Sequence, residues 1–320
     1  MVMAQSLFKF LHSRDPERAL DVLAPEWSLP VVGRMPEVRR GIAAGTAHGE
    51  FGLGKRRRIG KRLRDAGYGR AIVLPRSMKS SLIPWFARVP VRTGFRGELR
   101  FGLVNDRRPF DPSALDQTVK RFVALGLERD EALPGTLPFP ALSVSADNQA
   151  RAMASLGVDA GRPVVALMPG AEYGPAKCWP HEYFACLAAR LDDAGYAVWV
   201  LGSQKDAAAG DAIAAAGAAR NLCGKTSLAD AIDLLAACEQ AVSNDSGLLH
   251  VAAAVGTRIH GIYGSSSSKF TPPLSKSREI HEIGLDCRPC FERECPLGHL
   301  KCLRDLSPDR VFEKIVDKSD

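Results

Sequence analysis

Between residues 163 and 265, short apolar runs alternate with longer stretches in which apolar residues recur every three or four positions. PVVALMPG (163–170), AVWVLGS (197–203), QAVSND (240–245) and RIHGIYGS (258–265) are near-continuous apolar runs, the pattern of strands covered on both faces. HEYFACLAARLDDAGY (181–196), KDAAAGDAIAAAG (205–217), SLADAIDLLAACE (227–239) and SGLLHVAAAVG (246–256) carry helical spacing. ARNLCGKT (219–226) reads as a short strand and loop, and Ser227 with Asp230 three residues on is close to a capping box. Strand–helix alternation of this kind predicts a parallel, doubly wound α/β sheet.

The first half repeats the pattern more weakly. ALDVLAP (19–25) and RAIVLP (70–75) are predicted strands, and SLFKFLHSR (6–14) and GKRLRDAGY (60–68) predicted helices. Residues 106–126 run from a polar loop into a helix, and the Pro- and Ser-rich stretch 134–150 leads toward a second domain. The predicted division is 1–155 and 156–320, with the last helix a candidate to pack back on the first domain. No internal repeat is visible beyond the two similar halves. A helix-like segment, MVMAQSLFKFL, opens the chain where a βαβ unit would open with a strand.

Composition changes the picture little: 46% apolar and 25% charged residues belong to a globular protein, with no apolar run long enough to span a membrane. The N-terminus lacks the blocks of a signal peptide, so a cytoplasmic location is expected. Charge changes it more. Residues 1–110 hold 22 Lys+Arg against 9 Asp+Glu, and the remainder 21 against 27. Such asymmetry fits either an anionic partner of the first half or solubility alone.

Candidate chemistry gathers in two loops at predicted strand ends, where open parallel sheets bind ligands. In SNDSGLLHVAAAVG (243–256), Ser246 is placed to cap a helix and Gly247 to admit a ligand to the backbone. The free first-turn N–H groups and the helix dipole would seat a phosphate. Asp245 and, one turn on, His250 would face the same mouth. A plain capped helix with a core histidine fits this stretch equally. MPGAEYGPAKCWP (168–180) is the second loop; backbone amides near Gly170–Tyr173 and the Lys177 ammonium suit a diphosphate, unless Lys177 is a surface lysine. Neither a Walker A loop, nor G-x-G-x-x-G, nor a G-x-S-x-G elbow is present, which weighs against an ATPase, a dinucleotide dehydrogenase and a serine hydrolase.

With these loops, the segments MVMAQSLF, LPRSMKSSLIPWFARVPVRTGFRGELRFGLVND, VWVLGSQKD and CRPCFERECPLGHLKCL make the chain resemble, over nearly its whole length, the bacterial ADP-heptose:lipopolysaccharide heptosyltransferases of glycosyltransferase family nine. The resemblance implies a GT-B fold: two Rossmann-like domains facing a cleft, the first holding the acceptor and the second ADP-heptose. It implies inverting transfer of L-glycero-D-manno-heptose to the first heptose of the lipopolysaccharide inner core. Lys177 would be the catalytic cation on the diphosphate, with Glu172 and Tyr173 beside it. Asp206 would take the ribose, Thr226 would neighbour the adenine, and Asp245, Ser246, Gly247 and His250 would line phosphate and heptose. Arg76, Ser77, Lys79, Arg92 and Arg96 would meet a phosphorylated lipid A-core acceptor at the inner membrane. KRRRIGKRLR (55–64) would touch anionic headgroups, or be a solvated face. No cofactor, resident metal or nucleic acid is called for.

Family members are expected to place a strand and a Gly-Asp loop directly before the Met-Val-Met-Ala-Gln segment, the Asp acting as general base. No residue of this sequence occupies that position, so poor transfer, a loosened first domain and retained ADP binding are expected. Cys287-x2-Cys290-x4-Cys295-x6-Cys302, with His299, has spacing that suits structural zinc. The other reading is a thiol-rich loop whose Arg288 and Arg293 serve the acceptor. A sugar-nucleotide epimerase, a nucleic-acid-binding protein and an ADP-sugar-binding module without transfer are the alternatives.

Overall fold

In the computed structural model, which describes residues 1–45, 50–217 and 219–317, the chain forms two compact units. They divide at Pro138/Phe139, ahead of the boundary expected near residue 155. The reason is local. Helix 146–156 belongs with the second unit, because Ser145 N–H and Asn148 Nδ2 donate to the buried Asp233 carboxylate at 2.9 and 2.7 Å.

The first unit holds strands β1 (Asp21–Ala24), β2 (Arg40–Ala43), β3 (Arg70–Ile72), β4 (Val91–Phe95) and β5 (Asp106–Arg108), all paired in parallel. They fall into two sheets, β1-β2 and β3-β4-β5. Its helices are α1 (Gln5–Arg14), α2 (Leu29–Val32), α3 (Leu53–Arg64), α4 (Met78–Phe86) and α5 (Thr118–Ala124). The strands at 40–43, 91–95 and 106–108 were not legible as apolar runs, since none holds more than two apolar residues in a row and β5 holds none. One buried carboxylate pins the first sheet: Asp21 accepts from Arg39, Arg40 and Tyr68. Burial opposes its charge, but the hydrogen bonds from Arg39, Tyr68 and Arg40 outweigh it and bring the carboxyl to about 2.

The second unit has one six-stranded parallel sheet, from β6 (Val164–Met168), β7 (Ala197–Val200), β8 (Arg220–Asn221), β9 (Gln240–Asn244), β10 (Arg258–Ile262) and β11 (Arg278–His281), in the order β11-β10-β9-β6-β7-β8. β6 and β9 are buried at every position. Its helices are α6 (Ala146–Leu156), α7 (His181–Asp193), α8 (Ala207–Ala215), α9 (Leu228–Ala236), α10 (Gly247–Ala254), α11 (Lys301–Arg304) and α12 (Pro308–Val316). The Ser227–Asp230 capping box that opens α9 is complete. The last helix, α12, packs on α7 of its own unit, through Val311 and Ile315 of the apolar core.

A polar chain crosses this core. His260 Nε2 donates to Gln240 Oε1 (2.8 Å), His281 Nε2 donates to His260 Nδ1 (3.1 Å), and Gln240 Nε2 reaches the Ile315 carbonyl (3.0 Å). That pattern needs His260 neutral, since its Nδ1 must accept. Burial, with the neighbouring positive charges, pushes His260 down to about 3 and His281 to about 4.

Candidate functional site

Both loops of interest lie at the carboxyl ends of the central strands of the second unit. Lys177 follows β6 and Asp245 follows β9, which are hydrogen-bonded neighbours. Their side chains meet: Lys177 Nζ donates to Asp245 Oδ2 at 2.5 Å, with the two side chains 17% and 5% exposed. Thr271 Oγ1 reaches the other Asp245 oxygen at 3.5 Å.

A residue read only as a strand end makes this meeting possible. Asn244, fully buried, donates from Nδ2 to the Pro169 carbonyl (2.6 Å) and accepts on Oδ1 from Trp179 N–H (3.0 Å). It thus clips both ends of the 169–179 loop to the end of β9. The signal in the sequence was an Asn just before the Asp; its burial was not legible there.

The start of α10 differs from expectation in one respect. Ser246 occupies the N-cap position, but its hydroxyl makes no cap hydrogen bond and instead lies 3.3 Å from Ser243 Oγ. The first-turn N–H groups are therefore left without a side-chain acceptor, beside exposed Gly247. An anion is the natural partner for such a turn. His250 is half-buried one turn on. Its pKa falls to about 4 through burial, against the pull of the Asp245 carboxylate, and the Lys177 charge adds to the fall. All three groups thus share one electrostatic neighbourhood.

Tyr173 lies against this cluster. The Lys177 ammonium sits 5.2 Å from its ring centre and the Arg293 guanidinium 5.3 Å, while its hydroxyl donates to the Phe291 carbonyl at 2.6 Å. The Cys-rich segment is held to the same loop by Ala176 N–H, which donates to the Arg293 carbonyl at 3.0 Å. Gly174 is required there: with φ at 153°, a Cβ would run into the Arg293 backbone.

The remaining donor-side candidates stand further apart. Asp206 caps its own helical turn, its Oδ2 accepting from Ser203 N–H and Oγ, both at 2.8 Å. It packs against Gly170 and Gly202, where any Cβ would collide with its side chain, so it ties the ends of β6 and β7. Glu172 is paired with Lys205 at 2.9 Å, both 76% exposed. Such a pair contributes little on its own. Thr226 is half-buried in the β8–α9 loop, beside the Ser227 cap.

On the first unit, Arg76, Ser77 and Lys79 gather at the start of α4, after β3. Arg76 stacks on Phe110 (4.3 Å), Ser77 Oγ lies 2.6 Å from Ser80 Oγ, and Glu98 accepts from Met78 N–H. Arg96 is exposed just past the end of β4. Arg92 does not join them. It lies at the opposite end of that strand, its guanidinium held by the carbonyls of Val89 (2.5 Å), Leu103 (2.7 Å) and Gly102 (3.1 Å). An arginine so occupied serves the loop and has little left for a ligand.

Cys287, Cys290, Cys295, Cys302 and His299 line one narrow cavity, yet among the described residues no three His, Cys, Asp or Glu side chains are grouped to hold a metal. The zinc expectation finds no support in this arrangement. Nor does Arg288 face a ligand: its guanidinium is 8% exposed and bound to four carbonyls and Glu282.

Two units, each built on parallel α/β sheets, are the architecture of the glycosyltransferases of the GT-B class. The profile of glycosyltransferase family 9 (heptosyltransferase) matches residues 56–301, and the chain belongs to that family. It is 42% identical over 326 residues to lipopolysaccharide heptosyltransferase 2 of Salmonella typhimurium, covering 98% of this chain and 94% of that one. Lipooligosaccharide heptosyltransferase 2 of Haemophilus influenzae is 40% identical with the same coverage. Among solved structures, E. coli ADP-heptose heptosyltransferase II matches with a TM-score of 0.89 at 41% identity, covering 98% of this chain and 93% of that one. An E. coli heptosyltransferase with ADP shares the fold, at a TM-score of 0.71 and 18% identity, over 98% of this chain and 94% of that one.

Proposed function

We propose that the protein transfers L-glycero-D-manno-heptose from ADP-heptose to the first heptose of the lipopolysaccharide inner core, with inversion at the anomeric carbon. The observation that carries this reading is the Lys177–Asp245 pair set beside the uncapped start of α10. In the displacement, the bond from the heptose C1 to the ADP oxygen breaks as the acceptor hydroxyl oxygen adds from the other face and its proton passes to water. Charge grows on the departing phosphate. Lys177, oriented by Asp245, and the first-turn N–H groups at Ser246–Gly247 would receive it. One well-aimed donor of this kind contributes roughly 3 kcal/mol, more than the ~0.3–1 kcal/mol of an exposed helix dipole. Lys177 is thus the larger single contributor.

Glu172, Tyr173, Asp206, Thr226 and His250 are assigned to the donor. Asp206 would reach the ribose with Oδ1, since Oδ2 is occupied by Ser203. Arg76, Ser77, Lys79 and Arg96 are assigned to the acceptor's carboxylates and phosphates, with Arg92 as a support of their loop. Among the described residues no helix is long and apolar enough to cross a membrane. The protein is read as working in the cytoplasm, at the anionic face of the inner membrane, without a nucleic-acid partner.

The test is one titration series of the full chain with ADP, ADP-heptose, UDP-linked sugars and duplex DNA. Tight binding of the two adenine compounds alone is expected. DNA or UDP-sugar binding of equal strength would overturn the assignment.

A further inference from the structure

β4 and β5 are joined by a short crossover without a helix, residues 96–105. Its middle is fixed by a buried cation. Arg100 is 3% exposed and bonds the carbonyls of Pro75 (2.9 Å) and Phe95, with Ser81 Oγ at 3.3 Å. With residue 100 anchored inward, its neighbours on either side face out. They are Leu99, 80% exposed, and Phe101, 71% exposed. Single apolar residues on a surface are ordinary, but two large ones flanking a buried anchor form a display that the fold maintains.

The rim of this display is basic but for Glu98, whose carboxylate is engaged by Met78 N–H. Arg107 stacks on Phe101 at 4.8 Å, and Arg96 is exposed. Arg92, through the carbonyls of Gly102 and Leu103, joins the crossover to a hollow of about 690 Å³. That hollow is lined by Arg57, Lys61, Arg64, Arg88 and Arg92 with Trp85 and Phe86, and no carboxylate. Trp85 is 44% exposed. Arg64 is anchored on the Phe86 carbonyl, which leaves Arg57, Lys61 and Arg88 to face outward partners. Apolar tips ringed by cations, with an indole at the edge, match the depth profile of an anionic bilayer: acyl chains inside, phosphates above them.

We propose that this face, the 96–104 crossover with the adjoining α3–α4 hollow, docks the protein on an anionic lipid bilayer, Leu99 and Phe101 entering the interface and the hollow's cations meeting lipid phosphates. The inference deepens the membrane reading above and rests on it. It also gives the acceptor group a direction of approach. The crossover touches that group, since Gly97 packs against the Arg76 carbonyl and Glu98 accepts from Met78 N–H. An amphiphilic acceptor with its acyl chains beside Phe101 would present its sugars toward Arg76, Ser77 and Lys79.

The experiment is co-sedimentation of the full chain with vesicles of phosphatidylethanolamine and phosphatidylglycerol, and with vesicles of phosphatidylcholine alone. Wild-type protein is expected to bind the anionic vesicles and release with salt. The double variant Leu99→Ser/Phe101→Ser should lose roughly tenfold or more in partitioning, and Arg57→Ser/Lys61→Ser should lose about fivefold per charge and much of the salt dependence. In Phe101→Trp, indole emission should shift to the blue on adding anionic vesicles. Unchanged partitioning of Leu99→Ser/Phe101→Ser, with its thermal transition intact, would overturn the proposal. So would a concentration-dependent dimer in sedimentation velocity that this variant abolishes, because the patch would then face a second copy. ADP binding, measured on the same preparations, separates the two readings: its absence with vesicle binding intact defeats the transferase assignment alone, and the reverse defeats the surface alone.

Discussion

β9 and β6, at the centre of the second unit, bury all ten of their positions; β2 and β3 of the first unit bury none. The second unit takes its order from a continuous sheet and fixes Lys177 and Asp245 with a buried side chain, Asn244. The first unit divides its strands between two small sheets and relies on arginines bonded to carbonyls, notably Arg100 and Arg92. The difference would suit the two tasks proposed for the units. A small charged leaving group needs a cation held to fractions of an ångström. A large lipid-borne acceptor needs a broad surface of charge.

Acid should separate the units most strongly. In the second, His260 and His281 sit at about 3 and 4 when folded, against an ordinary 6.5, so the unfolded chain binds protons that the folded one refuses. Stability that is full above pH 6.5 should fall as pH drops from there toward 4, by on the order of several kcal/mol for the pair. In the first unit, Asp21 at about 2 loses its contribution only as pH falls below its ordinary 3.8. Hydrogen exchange read by peptide across pH 7 to 4 should show β10 and β11 loosening first. A common onset in both units would break the comparison.

Core truncation comes next. Leu167→Ala, in β6 and fully buried, should cost about 2–5 kcal/mol in urea unfolding. Ile72→Ala, half-buried in β3, should cost less than about 1.5 kcal/mol. Equal losses would mean that the first unit's short sheets carry as much packing energy as the long one. Lys177→Met removes the ammonium from a carboxylate that is 5% exposed. It should lower kcat/KM for transfer by about 100-fold or more. Adding Asp245→Asn should restore part of the lost stability but none of the rate.

Periodicity revealed β6 and β7 because burial on both faces leaves them wholly apolar, and β9 and β10 because the polar residues they carry, such as Gln240 and His260, lie beside apolar ones in otherwise buried strands. β11 carries Arg278, Glu279 and His281, and β4 carries Arg92, so neither has that signature. The division after Pro138 was hidden by a Pro- and Ser-rich stretch that looks like a linker yet anchors α6 through Asp233. At the site, the sequence put Lys177 and Asp245 in two loops at strand ends, but their direct ion pair was not read from it, since strand order is not written in the spacing. Nor was the part played by Asn244, because its role lies in two backbone groups 65 and 75 residues away. The cysteine spacing suggested a metal, but thiol spacing does not fix side-chain direction, and the four line a cavity without grouping around a point.

Arg293 offers the smallest effect and the finest distinction. It is exposed, like the cations of the first unit, but it belongs to the site of the second. Lys177 and Arg293 stand almost equally far from the Tyr173 ring centre, and Lys177 already has a carboxylate partner in Asp245. An anion with two charged groups could engage both cations, whereas one with a single phosphate would be served by Lys177 and α10 alone. Arg293→Ala should therefore raise the Kd for ADP by about threefold to tenfold, near 1 kcal/mol for a partly exposed cation, and leave AMP nearly unchanged. Arg293→Lys should recover part of the loss, since it keeps the charge without the planar fork. If ADP and AMP weaken alike, the side chain acts by holding the Tyr173 ring, and the site of the second unit owes its grip to buried clips alone.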